Sequence, residues 1–97
     1  MATYIVFEVT MTSSNWQKEY AKPTAELVQK HGGRYLAASP ELKRVEGDRA
    51  LPTVVVILEF PDTAAAEAWY GDADYQPLIA LRQTGSTSEA VLVPGLG

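Results

Sequence analysis

The chain has 97 residues, 46% of them hydrophobic and 21% charged, values typical of one folded domain over residues 1–97 rather than of a disordered chain. The net charge is −4 and the basic residues are scattered, so the sequence favours neither nucleic-acid binding nor attachment to a membrane surface. Without cysteine, disulfides, thiolate metal sites and thiol nucleophiles are excluded, and with one histidine so is a His-rich metal site within one chain. No apolar run approaches the ~20 residues of a membrane span and no signal-peptide pattern is present, so we expect a cytoplasmic protein.

The first third of the chain predicts a strand, a helix and a second strand. Residues 4–11 alternate between an apolar and a mixed face, which is typical of a strand. With Ser14 as the N-cap, the first helix is expected to begin at Asn15. The side of this helix that faces the sheet is predicted to be one apolar stripe at helical spacing, formed by Trp16, Tyr20, Thr24, Leu27, Val28 and His31. Residues 34–38 are expected to form the second strand.

Pro23 lies inside the helical pattern. Proline removes a backbone donor and crowds the carbonyl four residues earlier, so we expect it to kink the helix or split it at Lys22. The two pieces would then be Asn15 to Ala21 and Pro23 to His31. The glycines at 32–33 are expected to end the second piece, because glycine adopts the left-handed conformation of a helix C-terminus at no steric cost.

The most apolar run of the chain is Val54 to Leu58. Its β-branched residues and short length predict a central strand that is buried on both faces. The residues that follow predict two short helices over 64–70 and 75–81, the first capped by Asp62 or Thr63. A last strand is expected over 88–93.

The predicted order is therefore β-α-β-β-α-β, an α+β fold of the ferredoxin-like type with an antiparallel sheet and its helices on one face. The other face of the sheet is left uncovered, although the central strand supplies apolar groups to both faces. An exposed apolar patch of this kind usually marks an interface. We therefore expect a homodimer whose two sheets pack face to face.

Six short signatures occur in order along the chain: His31-Gly32-Gly33-Arg34-Tyr35-Leu36, Glu46-Gly47, Glu59-Phe60-Pro61, Ala68-Trp69-Tyr70, Asp74-Tyr75-Gln76 and Leu92-Val93-Pro94-Gly95. In combination they resemble domain-of-unknown-function family 1330 over nearly the whole chain. The resemblance implies the dimeric α+β-barrel fold, whose relatives include small cofactor-independent monooxygenases, muconolactone isomerase and haem enzymes. It implies no particular reaction, because one fold hosts many functions.

Two residues are candidates for proton transfer. Glu59 ends the apolar strand, and if its side chain enters a cavity lined by the sheet, desolvation would make it a proton acceptor. The alternatives are a structural pair with an arginine, for which Arg82 is one candidate, or a carboxylate that reaches solvent at the end of the strand. His31 is the one imidazole, and it could act as a base or a ligand or merely stabilise the end of the first helix.

The remaining candidates would hold a ligand. An arginine can bind a carboxylate through two parallel hydrogen bonds, and aromatic side chains can form either the wall of a pocket or part of the core. The candidates for substrate binding are Arg82, Arg34, Tyr35, Trp69, Tyr70 and Tyr75.

These residues predict a small homodimeric enzyme that acts by proton transfer on a small, partly apolar molecule. In one version of this prediction the molecule also carries a carboxylate. We expect it to need no metal and no organic cofactor. One alternative is a dimer that binds a small ligand without catalysis or has a purely structural role. Another is haem binding through His31.

Overall fold

Seven elements follow one another along residues 1–96, the part of the chain that the computed structural model describes. They are the strand β1 (Thr3–Met11), the helix α1 (Gln17–Lys30), the strands β2 (Arg34–Ser39) and β3 (Val54–Phe60), the helices α2 (Thr63–Tyr70) and α3 (Gln76–Gln83) and the strand β4 (Ser86–Pro94). The strands form one antiparallel sheet in the order β2-β3-β1-β4. The predicted ferredoxin-like α+β fold is confirmed.

Alternation along β1 separates the two faces of the sheet. Ile5, Phe7 and Val9 are each 4% exposed and point toward the helices, as the sequence pattern predicted. Phe60 from β3 and Trp69 from α2 join them in the core and are fully buried. Burial of a side chain of this size contributes roughly 1.5–3 kcal/mol each, so this face anchors the domain.

α1 crosses Pro23 as one helix, so the predicted split at Lys22 is wrong. Pro23 and Glu19, the residue whose carbonyl loses its partner, both lie on the exposed side of the helix, where water can replace the missing hydrogen bond. Thr24 and Val28 are buried against the sheet on the opposite side. Packing of this buried stripe outweighs the local cost of the proline.

The helix also begins two residues later than predicted. The indole Nε1 of Trp16 donates to the carbonyl oxygen of Ser13 at 2.7 Å, which holds the preceding residues in a turn. Ser14 therefore does not cap the helix through its side chain, and the first helical residue is Gln17. The other end agrees with the prediction, since Gly32 has a φ of +79° immediately after the C-terminal turn.

The two short helices place the residues that matter for the site. The Oδ1 of Asp62 accepts a hydrogen bond from the amide of Ala65 at 2.7 Å, so Asp62 is the N-cap of α2. α3 extends two residues beyond the predicted end. Arg82 therefore lies inside the last turn of α3 rather than beyond it.

The face of the sheet without helices carries an apolar strip. Val6 lies opposite Val91, and Ile57 lies opposite Val6 on the other side, so these side chains share that face. Val91 is 60% exposed and Val93 is 45% exposed. β3 is an interior strand as predicted, but in the single chain only Leu58 and Phe60 on its helix-facing side are buried, and the other residues are half-buried. The predicted burial on both faces is therefore not reached within one chain.

None of the helices in residues 1–96 has both the length and the apolar character that a membrane crossing requires.

Candidate functional site

A cavity of about 720 Å³ lies between α1 and the helix-facing side of the sheet, within the range of roughly 300–1,000 Å³ that ligand pockets occupy. Its wall is mostly apolar and aromatic, with Phe7, Val56 and Leu58 from the sheet and Trp16 and Trp69 from the helical side. The lining also includes eight polar side chains: Ser14, Gln17, Lys18, Tyr20, Thr24, Tyr35, Thr53 and Arg82. A mostly apolar volume with polar groups on its wall suits a small ligand that is itself mostly apolar.

Arg82 is the only cation buried in this wall among residues 1–96, and it is 3% exposed. Its Nη1 donates to the hydroxyl oxygens of Tyr20 at 3.1 Å and Tyr75 at 3.0 Å. The guanidinium carbon also lies 5.1 Å from the centre of the Phe7 ring, a favourable cation–π distance. Tyrosines and an aromatic face therefore surround the charge.

No carboxylate within residues 1–96 forms an ion pair with Arg82, and its Nε has no hydrogen-bond partner there. Burial pulls the pKa of Arg82 down, but its interactions with Tyr20 and Tyr75 outweigh this and the pKa is raised above its usual value. The side chain thus stays charged. A buried charge without a counter-charge is costly, and an anionic or strongly polar ligand atom would compensate it.

Tyr20 and Tyr75 share one short hydrogen bond, with 2.6 Å between their oxygens. Tyr75 is fully buried, and burial, followed by the neighbouring Tyr20, raises its pKa, so it keeps its proton. Arg82 can only donate and it donates to both hydroxyls, so one phenol donates to the other and one phenol proton of the pair has no acceptor within residues 1–96. Tyr20 is the member of the pair that lines the cavity, where a ligand oxygen can accept such a proton.

The aromatic wall is held by stacking. The rings of Trp69 and Tyr75 are 4.4 Å apart between centroids at 31°, which fixes both against the sheet. Burial, followed by the nearby Tyr20, raises the pKa of Tyr35 to about 12. The indole Nε1 of Trp69 and the hydroxyl of Thr24 are buried without a partner in the described chain, as is the Nε of Arg82. All three orphaned groups belong to residues that line this one cavity.

Of the predicted substrate-binding residues, the structure brings Arg82, Tyr35 and Trp69 together in the cavity wall, with Tyr75 directly behind Arg82. Tyr70 lies elsewhere, beside a second and smaller cavity, and is 42% exposed.

Glu59 and Arg34 lie on the opposite face of the sheet. The Nε of Arg34 donates to Oε1 of Glu59 at 2.7 Å, and neither residue lines the main cavity. The side chains are 71% exposed for Arg34 and 22% exposed for Glu59. The alternative that Glu59 pairs with an arginine is therefore met by Arg34, and Arg82 as that partner is wrong, because Arg82 lies on the other side of the sheet. A catalytic role for Glu59 stays a prediction.

His31 is the C-cap of α1, and its Nε2 lies 2.7 Å from Oδ2 of Asp72 in the loop between α2 and α3. Lys30 reaches the same oxygen at 3.1 Å, and the amide of Asp74 donates to the other one at 2.8 Å. These hydrogen bonds, that from His31 first, hold the pKa of Asp72 far below its usual value. His31 thus joins two helical segments at a distance from the cavity lining, and a catalytic or ligand role for it stays a prediction.

Sequence reasoning missed two parts of this arrangement. Tyr20 and Thr24 were assigned to an apolar stripe, although a hydroxyl at two successive stripe positions is a signal for a polar pocket floor. Asp72 was missed as the partner of His31, because nothing local joins residues so far apart. Among residues 1–96, His, Asp and Glu side chains nowhere gather in groups of three or more as metal ligands would.

The sequence pattern of the family described as "Domain of unknown function (DUF1330)" matches residues 2–96. No curated protein matches the chain. Among solved structures, the chain resembles the RPA0582 protein of unknown function from Rhodopseudomonas palustris at 16% identity and a TM-score of 0.80, over 99% of this chain and 83% of that one.

Two further structures show the same fold. A single-substitution variant of SnoaB, a cofactor-independent oxygenase from Streptomyces nogalater, gives a TM-score of 0.71 at 16% identity over 99% of this chain and 94% of that one. A proposed antibiotic biosynthesis monooxygenase from Nitrosomonas europaea gives 0.63 at 18% identity over both whole chains. At such identities the likeness establishes the fold, that of the dimeric α+β-barrel type, and nothing finer.

Proposed function

This chain belongs to the DUF1330 family, and we propose that it is a cofactor-independent enzyme that stabilises a developing oxyanion on a small, mostly apolar substrate. The substrate occupies the cavity between α1 and the sheet, and its oxygen accepts the free proton of Tyr20. Arg82 lies directly behind that hydroxyl. The reaction class is proton transfer through an enolate or phenolate.

One observation carries the proposal: a charged guanidinium without a carboxylate partner donates to two phenols that share one hydrogen bond, so one phenol proton has no acceptor in the described chain, and we assign that proton to Tyr20, which lines the cavity. Arg82 donates to the Tyr20 oxygen, which polarises the Tyr20 hydroxyl and makes it a stronger donor. A donor that is already oriented in a dry apolar site stabilises negative charge as it develops, and removing one such donor typically slows a reaction about 10²–10³-fold.

We assign the stabilisation of the substrate anion to Tyr20 and Arg82 because Glu59 and His31 do not line the cavity. The lining within residues 1–96 contains no Asp, Glu or His. The proton therefore passes from substrate carbon to water at the cavity mouth. The contribution of the site is to stabilise the anion that remains, which suits substrates whose C–H bond lies next to a carbonyl.

One protein of the same fold, SnoaB, is described as a cofactor-independent oxygenase, so the fold is compatible with catalysis that uses only the protein's own groups. Tyr20 and Arg82 supply such groups here.

A second candidate is a binding protein without catalysis. The absence of a carboxylate or imidazole from the described lining favours it, because a general base typically contributes 10²–10⁴-fold and none is positioned here. The same Tyr20 and Arg82 contacts would then serve recognition alone.

Hydrogen–deuterium exchange at the α-carbon of 2-tetralone, a bicyclic ketone of suitable size and polarity, distinguishes an enzyme from a non-catalytic binding protein. Enzyme function predicts exchange faster than in buffer, with Tyr20→Phe reducing the enhancement about 100-fold. Saturable binding without faster exchange would favour the binding protein. Tyr4→Phe, which removes a phenol on the other face of the sheet, is the matched control and should leave exchange unchanged.

We also propose that the chain forms a homodimer through the uncovered sheet face. The strip that includes Val6, Ile57, Val91 and Val93 is apolar and partly exposed, and a second copy would remove it from water. An isologous contact about a two-fold axis fits a self-complementary strip of this kind.

A further inference from the structure

A second cavity of about 490 Å³ lies on the other side of α3, between α2, α3 and β4. Its floor is apolar, with Ile5, Ala66 and Leu92, while Gln83 and Ser88 provide polar groups at its edge. The volume again falls within the range of ligand pockets, roughly 300–1,000 Å³. This space is not part of the main cavity.

Arg82 lines both cavities. Its two side-chain hydrogen bonds within residues 1–96 both use Nη1, toward Tyr20 and Tyr75. Nη2 has no protein partner in the described chain, whereas Nε is enclosed by protein atoms and cannot be reached from a cavity. The guanidinium thus has Nη1 engaged by the tyrosines and Nη2 unused.

The unused Nη2 can donate a charge-assisted hydrogen bond to a carboxylate oxygen. No acid within residues 1–96 pairs with Arg82, although Glu67 lines the same cavity and is exposed. A ligand with one carboxylate satisfies the guanidinium, whereas a second carboxylate would be repelled by Glu67.

We propose that the second cavity is a binding site for a small aliphatic monocarboxylate. The carboxylate contacts Arg82, and the hydrocarbon tail packs against Ile5, Ala66 and Leu92. The site does not use the Tyr20 hydroxyl and so does not depend on the proposed reaction. Because one guanidinium serves both cavities, a carboxylate here weakens the binding of an anion in the main cavity, and the effect is reciprocal.

Two exposed alanines provide matched blocking variants. Ala90 lines the second cavity and not the main one, and it lies opposite Phe7, so its side chain is on the helix-facing side of the sheet. Ala38 lines the main cavity and not the second. Ala90→Leu and Ala38→Leu therefore each fill one cavity with the same added group.

The experiment is a titration with hexanoate, followed by amide and Arg82 Nε–H shifts in NMR spectra. We expect saturable binding to the wild type. Ala90→Leu and Arg82→Met should each weaken it at least about tenfold, as the loss of a charge-assisted contact would, while Ala38→Leu leaves it within about twofold. Hexanol, which has no charge, should bind at least about tenfold more weakly.

Three results would overturn the site: no saturable shifts in the wild type, equal binding of hexanol and hexanoate, or loss of binding in Ala38→Leu with retention in Ala90→Leu. If Arg82→Met does not fold, the Ala90→Leu and Ala38→Leu pair decides alone. The proposed reaction is tested separately, since 2-tetralone exchange depends on Tyr20 and the main cavity.

Discussion

The hydroxyl oxygen of Tyr75 lies 2.6 Å from that of Tyr20, and this contact joins the N-terminus of α3 to α1 at the polar end of the main cavity. We infer that the buried Tyr75 donates to Tyr20, which leaves the more accessible of the two phenols a proton for a ligand. The fold thus supplies a donor whose orientation is set before any ligand arrives.

Tyr75→Phe should destabilise the protein and change its behaviour in alkali. The pKa of Tyr75 is raised by burial, so its stabilising effect is complete below the usual tyrosine value of about 10 and is lost as the pH rises toward the raised value. The wild type should lose free energy of unfolding above pH ~10, and Tyr75→Phe should show a shallower loss. At neutral pH the variant should be about 1–3 kcal/mol less stable, because Arg82 loses an acceptor.

Urea denaturation at a series of pH values measures both effects. Tyr4→Phe is the control, since the Tyr4 hydroxyl forms no hydrogen bond within residues 1–96. If the free energy of unfolding falls equally steeply above pH ~10 in the wild type and in Tyr75→Phe, Tyr75 is not a buried, neutral phenol.

Asp72→Asn should remove part of the acid sensitivity of the protein. The hydrogen bond from His31, followed by those from the Asp74 amide and Lys30, lowers the pKa of Asp72. A lowered pKa stabilises the fold above the usual value near 3.8, and this stabilisation is lost as the pH falls toward the lower folded value.

The wild type should therefore lose stability below pH ~4 more steeply than Asp72→Asn in denaturant titrations. Asp48→Asn, a change in the exposed connection between β2 and β3, is the control and should keep the wild-type slope. If the free energy of unfolding of Asp72→Asn falls below pH ~4 as steeply as that of the wild type, the hydrogen bonds of Asp72 between α1 and the α2–α3 loop are weak in solution.

Glu59→Gln should cost no more than about 1 kcal/mol. Its partner Arg34 is 71% exposed, and exposed ion pairs contribute little. A loss of about 3–5 kcal/mol would instead indicate a buried pair. The 2-tetralone assay on the same variant tests the catalytic prediction for Glu59, because a drop of about 100-fold would make it a general base and count against the assignment to Tyr20.

The fold was predictable because its signals are local. The alternation along β1 and the helical spacing of Trp16, Thr24 and Val28 each mark one buried face, and the structure agrees. The split at Pro23 failed because packing of that buried face is a tertiary effect that the local cost of proline does not include.

The site was only partly predictable. Arg82 and Tyr20 are 62 positions apart in sequence, and only the packing of α3 against α1 brings them together. For Glu59 a signal existed, because alternate residues of a strand lie on one face and Glu59 therefore shares a face with Ile57 and not with Leu58. Both faces of this strand carry apolar residues, however, so the sequence alone did not show which face the helices cover.

Val91→Glu should break the proposed dimer. Val91 is 60% exposed on the uncovered face, and burying an unpaired charge there would be costly. The wild type should sediment near twice 10.6 kDa at low micromolar concentration, and Val91→Glu near the monomer mass. Ala25→Glu on the exposed side of α1 is the control and should remain dimeric. A monomeric wild type, or a dimeric Val91→Glu, would contradict the sheet-to-sheet contact.

The central claim is that the Tyr20 hydroxyl, supported by Arg82, donates to an oxygen of a ligand in the main cavity. The most direct test compares 2-naphthol with naphthalene, read by the fluorescence of Trp16 and Trp69, which both line that cavity. The wild type should bind 2-naphthol at least about tenfold more tightly than naphthalene, and Tyr20→Phe should bind the two equally, as the loss of one charge-supported hydrogen bond requires. If Tyr20→Phe keeps the full preference for 2-naphthol, or if the wild type shows none, Tyr20 is not the donor and the claim fails.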